Sequence, residues 1–151
     1  MTVHGQQVIR LEFTSAFEML DFVQVVSDHV SRVAGLDEEA MHWVSVAIRE
    51  SVINAIKHGN RNDQSKHVFV EFETTETAPV PELMIRVRDE GPGFEPETLA
   101  NPLAPENLLK SSGRGIFLIR SFMDELRLQP AAEGGMEVVM VKRAAAATPP
   151  A

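Results

Sequence analysis

Every candidate strand of this chain reads with one apolar face, not two, and that restricts the fold more than any other feature. Ile9, Leu11 and Phe13 alternate with Arg10 and Glu12; Val68, Val70 and Phe72 with Glu71 and Glu73; Leu83, Ile85 and Val87 with Arg86 and Arg88. Alternation at period two puts the apolar side chains on one side of a strand and the charges on the other. A parallel sheet between two helical layers needs strands that are apolar on both faces. These strands instead fit a sheet covered by helices on one side only. Two more strands follow, one through Leu126 and Leu128, one through Met136, Val138 and Met140, joined by Gly134-Gly135. The expected fold is a two-layer α/β (α+β) sandwich, about three helices on one face of a five-stranded, mostly antiparallel sheet.

The helices announce themselves by caps and stripes. Ser15 and Glu18 have capping-box spacing. Behind them Met19, Phe22, Val23, Val26, Val30 and Val33 recur at helical spacing until Gly35. Asp37 is placed to cap a second helix with the stripe Met41, Val44, Ile48, Val52 and Ala55, ended by Gly59. A third helix is expected from Gly113, carrying Ile116, Leu118, Ile119 and Phe122. Residues 90–112 lack periodicity and hold Pro92, Pro96, Pro102 and Pro105. A structureless run of that length inside a compact domain is usually functional or mobile.

The 151 residues suffice for one domain, expected over 1–143, with 144–151, built only of Ala, Thr and Pro, as a disordered tail. A net charge of −8 disfavours a nonspecific nucleic-acid binder and attachment to anionic membranes. With no cysteine, disulfides and thiolate metal sites are excluded. The N-terminus lacks a signal-like apolar run and no stretch approaches a membrane span, so the expected location is cytoplasmic.

Three places break the core-and-surface pattern. Glu50 and Asn54 share a helix face one turn apart, beside the apolar stripe, and Lys57, His58 and Asn60 close the segment. They are either solvated positions or a carboxylate and an amide oxygen aimed at one group. A carboxylate can orient or deprotonate a nucleophile, and an amide oxygen suits magnesium, which takes few protein ligands. Asp89 continues the apolar face of Leu83, Ile85 and Val87, where a carboxylate is costly unless paired. It opens Asp89-Glu90-Gly91-Pro92-Gly93-Phe94, which reads either as a turn or as an acceptor for an exocyclic amine such as that of adenine. Ser111-Ser112-Gly113-Arg114-Gly115 opens the third helix, either as a flexible start or as an anion site made of free N–H groups. It matches neither a Walker loop nor the dinucleotide fingerprint. His58 sits where an imidazole suits a helix C-terminus, and His4, His29, His42 and His67 form no metal-ligand pattern. Trp43 reads as core or dimer surface.

Together these segments resemble the motifs of the GHKL superfamily of ATPases and kinases. The run from Glu50 to Gly59 looks like its N-box, Asp89–Phe94 like its first glycine box, and Gly113-Arg114-Gly115-Ile116 like its second. The ending Asn-Ala-x-Lys-His-Gly and the run from Gly113 to Asp124 resemble the RsbW-type anti-sigma-factor kinases, and the likeness extends over nearly the whole chain. The resemblance implies ATP and Mg2+ as cofactors. It makes Glu50 the general base for a substrate serine and Asn54 the magnesium ligand. Asp89 would contact adenine, Gly91 and Gly93 would shape the pocket, and Gly113, Arg114 and Gly115 would hold phosphates. Lys57, His58 and Ile116 fall inside the same motifs and are carried over as nucleotide-binding positions. The implied partners are an anti-anti-sigma protein of the STAS type and an RNA polymerase sigma factor, with the chain as a homodimer.

Two other classes compete with a serine kinase. One is a module that binds ATP and sequesters its partner without turnover, which would not need Glu50. The other is a detached catalytic domain of a sensor histidine kinase. That would need a phosphoaccepting histidine, and Ser27-Asp28-His29-Val30 lacks the expected neighbours.

Overall fold

A computed structural model describes residues 6–76, 80–92, 115 and 119–144. The elements run β1 (Gln7–Thr14), α1 (Leu20–Val33), α2 (Glu38–Asn54), β2 (His67–Thr75), β3 (Glu82–Arg88), β4 (Glu125–Pro130) and β5 (Met136–Arg143). Gly115 and residues 119–122 are also helical. The strands form one sheet in the order β1-β2-β3-β5-β4, with every neighbouring pair antiparallel. α1 lies over β2, and α2 over β3 and β5. Val68, Val70 and Phe72, then Leu83, Ile85 and Val87, meet Val44, Ile48 and Val52 of α2 in the core. The two-layer architecture read from the alternation is the one observed.

The local signals of helix ends mostly hold. Asp37 Oδ1 accepts the N–H of Ala40 at 2.8 Å and so caps α2. α1 ends in a Schellman turn: Gly35, at φ +81°, donates to the Arg32 carbonyl, and Leu36 donates to Ser31. The capping box does not form. A 3-10 turn, Phe17–Met19, leads into α1, and neither start has a side-chain cap. Ser15 is buried, and its hydroxyl donates to the Lys66 carbonyl at 2.8 Å. The hydroxyl is spent across the sheet end, not on its own helix.

Three further readings are corrected. α1 buries Leu20, Val23, Ser27, Val30 and Ser31, whereas Phe22 and Val33 are each 51% exposed. A face with two serines sits closer to its neighbours than one carrying Phe22, and Gln24 Nε2 adds a 2.7 Å bond to Ser45 Oγ of α2. In β5 both faces are apolar. Val139 and Val141 are 2% exposed although they stand on the uncovered side of the sheet, where Arg86 and Arg127 flank Val139 and Met84 flanks Val141. Long side chains on the neighbouring strands supply the cover that helices do not. Ala144, assigned by sequence to the tail, is buried and its N–H donates to the Pro81 carbonyl at 2.8 Å.

Candidate functional site: a carboxylate, an amide and a buried aspartate along one helix

α2 is the spine of the site. Its last turn widens into a π turn over Ala55–Gly59, closed by the Asn60 N–H on the Ala55 carbonyl at 2.7 Å. Single π turns inside α-helices recur at functional sites, because they re-aim the side chains that follow. Glu50 and Asn54 lie one turn apart and half-buried, while Lys57 and His58 are exposed. Among the described residues, nothing hydrogen-bonds the amide of Asn54. From Glu50 to Gly59 the helix covers roughly 13 Å at 1.5 Å per residue, so its two ends are two separated places along one face of the fold.

At the Glu50 end stands Gly115. A Cβ built on Gly115 would lie 3.1 Å from Glu50 Cδ and 3.2 Å from its Oε1. The glycine therefore lets the third helical segment close onto the carboxylate. Phe122, at the end of the helical residues 119–122, stacks its ring on Trp43 of α2 with centroids 3.5 Å apart. Trp43 thus belongs to a helix contact.

At the Gly59 end stands Asp89, 5% exposed. Its Oδ1 accepts the N–H of Gly91 at 3.0 Å and of Met136 at 3.1 Å. Gly59 and Gly91 pack around it without room for side chains. A Cβ on Gly59 would meet the Asp89 Cβ at 2.8 Å, and one on Gly91 would meet the Gly59 carbonyl carbon at 2.6 Å. Burial raises the Asp89 carboxyl above its ordinary value; the backbone donors of Met136 and Gly91, then the charges of Arg88 and Lys66, pull the other way without cancelling it.

Asn60, which the sequence marked only as the end of a segment, organises the junction. It is 1% exposed. Its Nδ2 donates to Ser15 Oγ at 2.8 Å and to the His67 carbonyl at 3.0 Å, and its Oδ1 accepts the Glu90 N–H at 2.7 Å. Glu90 Oε1 in turn accepts the His67 N–H at 2.6 Å. The loop bearing Asp89 is thereby tied to both β1 and β2. An Asn directly after a helix-ending glycine was the signal the sequence offered, and its burial came only with the fold.

The structure thus brings Glu50 to Gly115 and Asp89 to Gly59 and Gly91, all around one helix. Gly93, Gly113, Arg114 and Ile116, with Ser111 and Ser112, lie outside the described residues. Among the described residues no three His, Asp or Glu side chains cluster as a metal site, and no helix is long and apolar enough to cross a membrane. A separate open groove of about 460 Å³ lies on the uncovered face of the sheet, lined in part by Arg10, Phe69, Arg86 and Glu137. It is on the opposite side of the sheet from α2, and its lining mixes arginines with glutamates.

The chain is similar to known proteins over most of its length. Residues 14–142 match the histidine kinase-like ATPase domain. The chain is similar to the serine-protein kinase RsbW of Listeria innocua, at 26% identity over 93% of this chain and 88% of the relative. The RsbW kinase of Listeria monocytogenes matches at the same identity and coverage. The anti-sigma F factor of Clostridium perfringens is 34% identical over 89% of this chain and 95% of its own. The chain belongs to the histidine kinase-like ATPase domain family, in its branch of RsbW-type anti-sigma-factor kinases.

Proposed function

We propose that the chain is an anti-sigma factor that binds ATP with Mg2+ and phosphorylates a serine of a STAS-type anti-anti-sigma protein. In this reading it works in the cytoplasm as a homodimer, and sequesters an RNA polymerase sigma factor when the partner is phosphorylated. The observation that carries the reading is the meeting of Glu50 with Gly115, one helical turn from Asn54, whose amide has no hydrogen-bond partner among the described residues, and on the same helix that ends at Asp89.

The residues fit the ligand. Asp89 keeps a carboxylate oxygen for an exocyclic amine, in a space cleared by glycines. A single amide oxygen at Asn54 suits a cation that completes its shell with phosphate and water. Bound there, ATP supplies the phosphoryl group and magnesium offsets its charge. The residues' own work is positioning, since phosphoryl transfer asks little covalent chemistry of a protein. Glu50 accepts the serine hydroxyl proton as the new Oγ–P bond forms and the bond to the ADP oxygen breaks. Gly113, Arg114 and Gly115 are assigned to the phosphates, with Ile116, Lys57, His58, Gly91 and Gly93 completing the binding positions.

The test is incubation with labelled ATP, magnesium and candidate STAS proteins, followed by location of phosphoserine. Glu50→Gln is expected to bind ATP and transfer nothing, and Asn54→Ala to lose magnesium-dependent binding. A wild-type chain that binds no adenine nucleotide would overturn the reading; a fully active Glu50→Gln would remove the base assignment.

A further inference from the structure

The β3–β5 ladder ends in an unusual exchange. Its last register pair is Arg88 with Glu137. One residue on, the Asp89 N–H donates to the Met136 carbonyl at 3.1 Å, as a ladder would continue. The return bond does not go to the Asp89 carbonyl. The Met136 N–H donates to Asp89 Oδ1 at 3.1 Å. With Gly91 donating to the same atom at 3.0 Å, Oδ1 carries two backbone donors. Among the described residues no donor reaches Oδ2, which lies against Gly59.

Gly135 makes this possible. Its φ is +84°, and a Cβ there would stand 2.8 Å from both the Asp89 carbonyl carbon and Oδ1. Only a hydrogen fits between the β4–β5 turn and the aspartate. Gly134 beside it has φ +98° but nothing within 4 Å. The two glycines make the same demand on the backbone, and only one of them touches Asp89.

We propose that Gly135 and the Met136 N–H, both outside the three family-like motifs, are positioning residues that fix the Asp89 carboxylate and so set base selectivity. The proposal rests on the adenine reading above. Two donors lock one oxygen and present the other as a pure acceptor in one direction. A 6-amino purine offers a donor to it. A 6-oxo purine offers an acceptor and leaves a buried charge unpaired, which sites of this kind reject strongly.

The experiment measures ADP and IDP affinity with magnesium, by calorimetry, for the wild type, Gly134→Ala and Gly135→Ala, with thermal melts of each. Gly135→Ala is expected to weaken ADP binding by about tenfold or more, the loss of one charged hydrogen bond, and to bring the ADP-to-IDP ratio towards one. Gly134→Ala, with the same backbone strain, should stay within about threefold and keep the ratio. Should Gly135→Ala fail to fold, an amide-to-ester replacement at Met136 deletes the N–H without adding an atom, and the same fall in ratio is expected. A retained ratio in the Gly135 variant or in the ester overturns the proposal, as does an equal loss in the Gly134 variant. A wild type that binds neither nucleotide refutes the adenine reading itself. A wild type that prefers ADP beside a Gly135 variant that prefers it equally refutes only the role of the hairpin.

Discussion

Truncating Asn60 to alanine tests how the site is held to the fold. The side chain makes three hydrogen bonds, to Ser15 Oγ, to the His67 carbonyl and from the Glu90 N–H, at 2.7–3.0 Å and from a position 1% exposed. At about 1 kcal/mol net for each bond, Asn60→Ala should cost about 3 kcal/mol. That is a large part of the 5–15 kcal/mol by which domains are typically stable. With a urea slope near 2 kcal/mol per molar, the midpoint falls by about 1.5 M. Trp43, the sole tryptophan, reports the helical layer by fluorescence, and far-ultraviolet circular dichroism reports the whole fold. Gln64→Ala, exposed in the same connection, is the control and should change stability by less than about 0.5 kcal/mol. A midpoint shift below about 0.5 M for Asn60→Ala, at unchanged slope, would refute the view that Asn60 ties the Asp89 loop to β1 and β2.

Asp89→Asn should separate stability from binding. The native carboxyl holds its proton above the ordinary 3.8, because burial disfavours the charged form. From about the ordinary value upward the native state therefore binds more protons than the unfolded chain, so this group's contribution to stability falls as pH rises and stays low once both states have ionised. Asparagine removes that term. In urea titrations the variant should therefore gain on the wild type as pH rises above about 4, while adenine-nucleotide binding is lost; a pH-independent difference would contradict the assignment. Gly115→Ala would place a methyl 3.1–3.2 Å from the Glu50 carboxyl. It should lower the single-turnover transfer rate about tenfold, the effect of roughly 1.4 kcal/mol in the barrier, with a smaller change in nucleotide affinity. An unchanged rate would show that Glu50 has no neighbour there. Asp37→Ala removes the cap of α2 and should cost about 1 kcal/mol in urea unfolding.

Much of the fold was legible because its signals are local. Alternation at period two follows from strand geometry alone, so Val68–Phe72 and Leu83–Val87 announce a sheet with one covered face whatever surrounds them. Asp37 needs only the N–H three residues on, Gly35 only a positive φ, and Glu50 with Asn54 only one helical turn. The burial of Asp89 followed from the phase of its strand.

What stayed hidden depends on partners far along the chain. Periodicity ranks side chains by polarity, so it put Phe22 and Val33 inside α1, whereas close packing chose Ser27 and Ser31. Ser15 looked like a cap until Lys66 and Asn60, 51 and 45 residues away, claimed its hydroxyl. The second apolar face of β5 depends on side chains of the strands beside it. The seat beneath Asp89 comes from Met136, 47 residues on. The sequence by itself determined the strands, the two long helices and the two-layer class, because each is written within a turn or a strand. The tertiary structure decided which oxygen of Asp89 takes the backbone donors and what stands against Glu50, because the energy of burying a polar group is set by whatever the fold brings beside it.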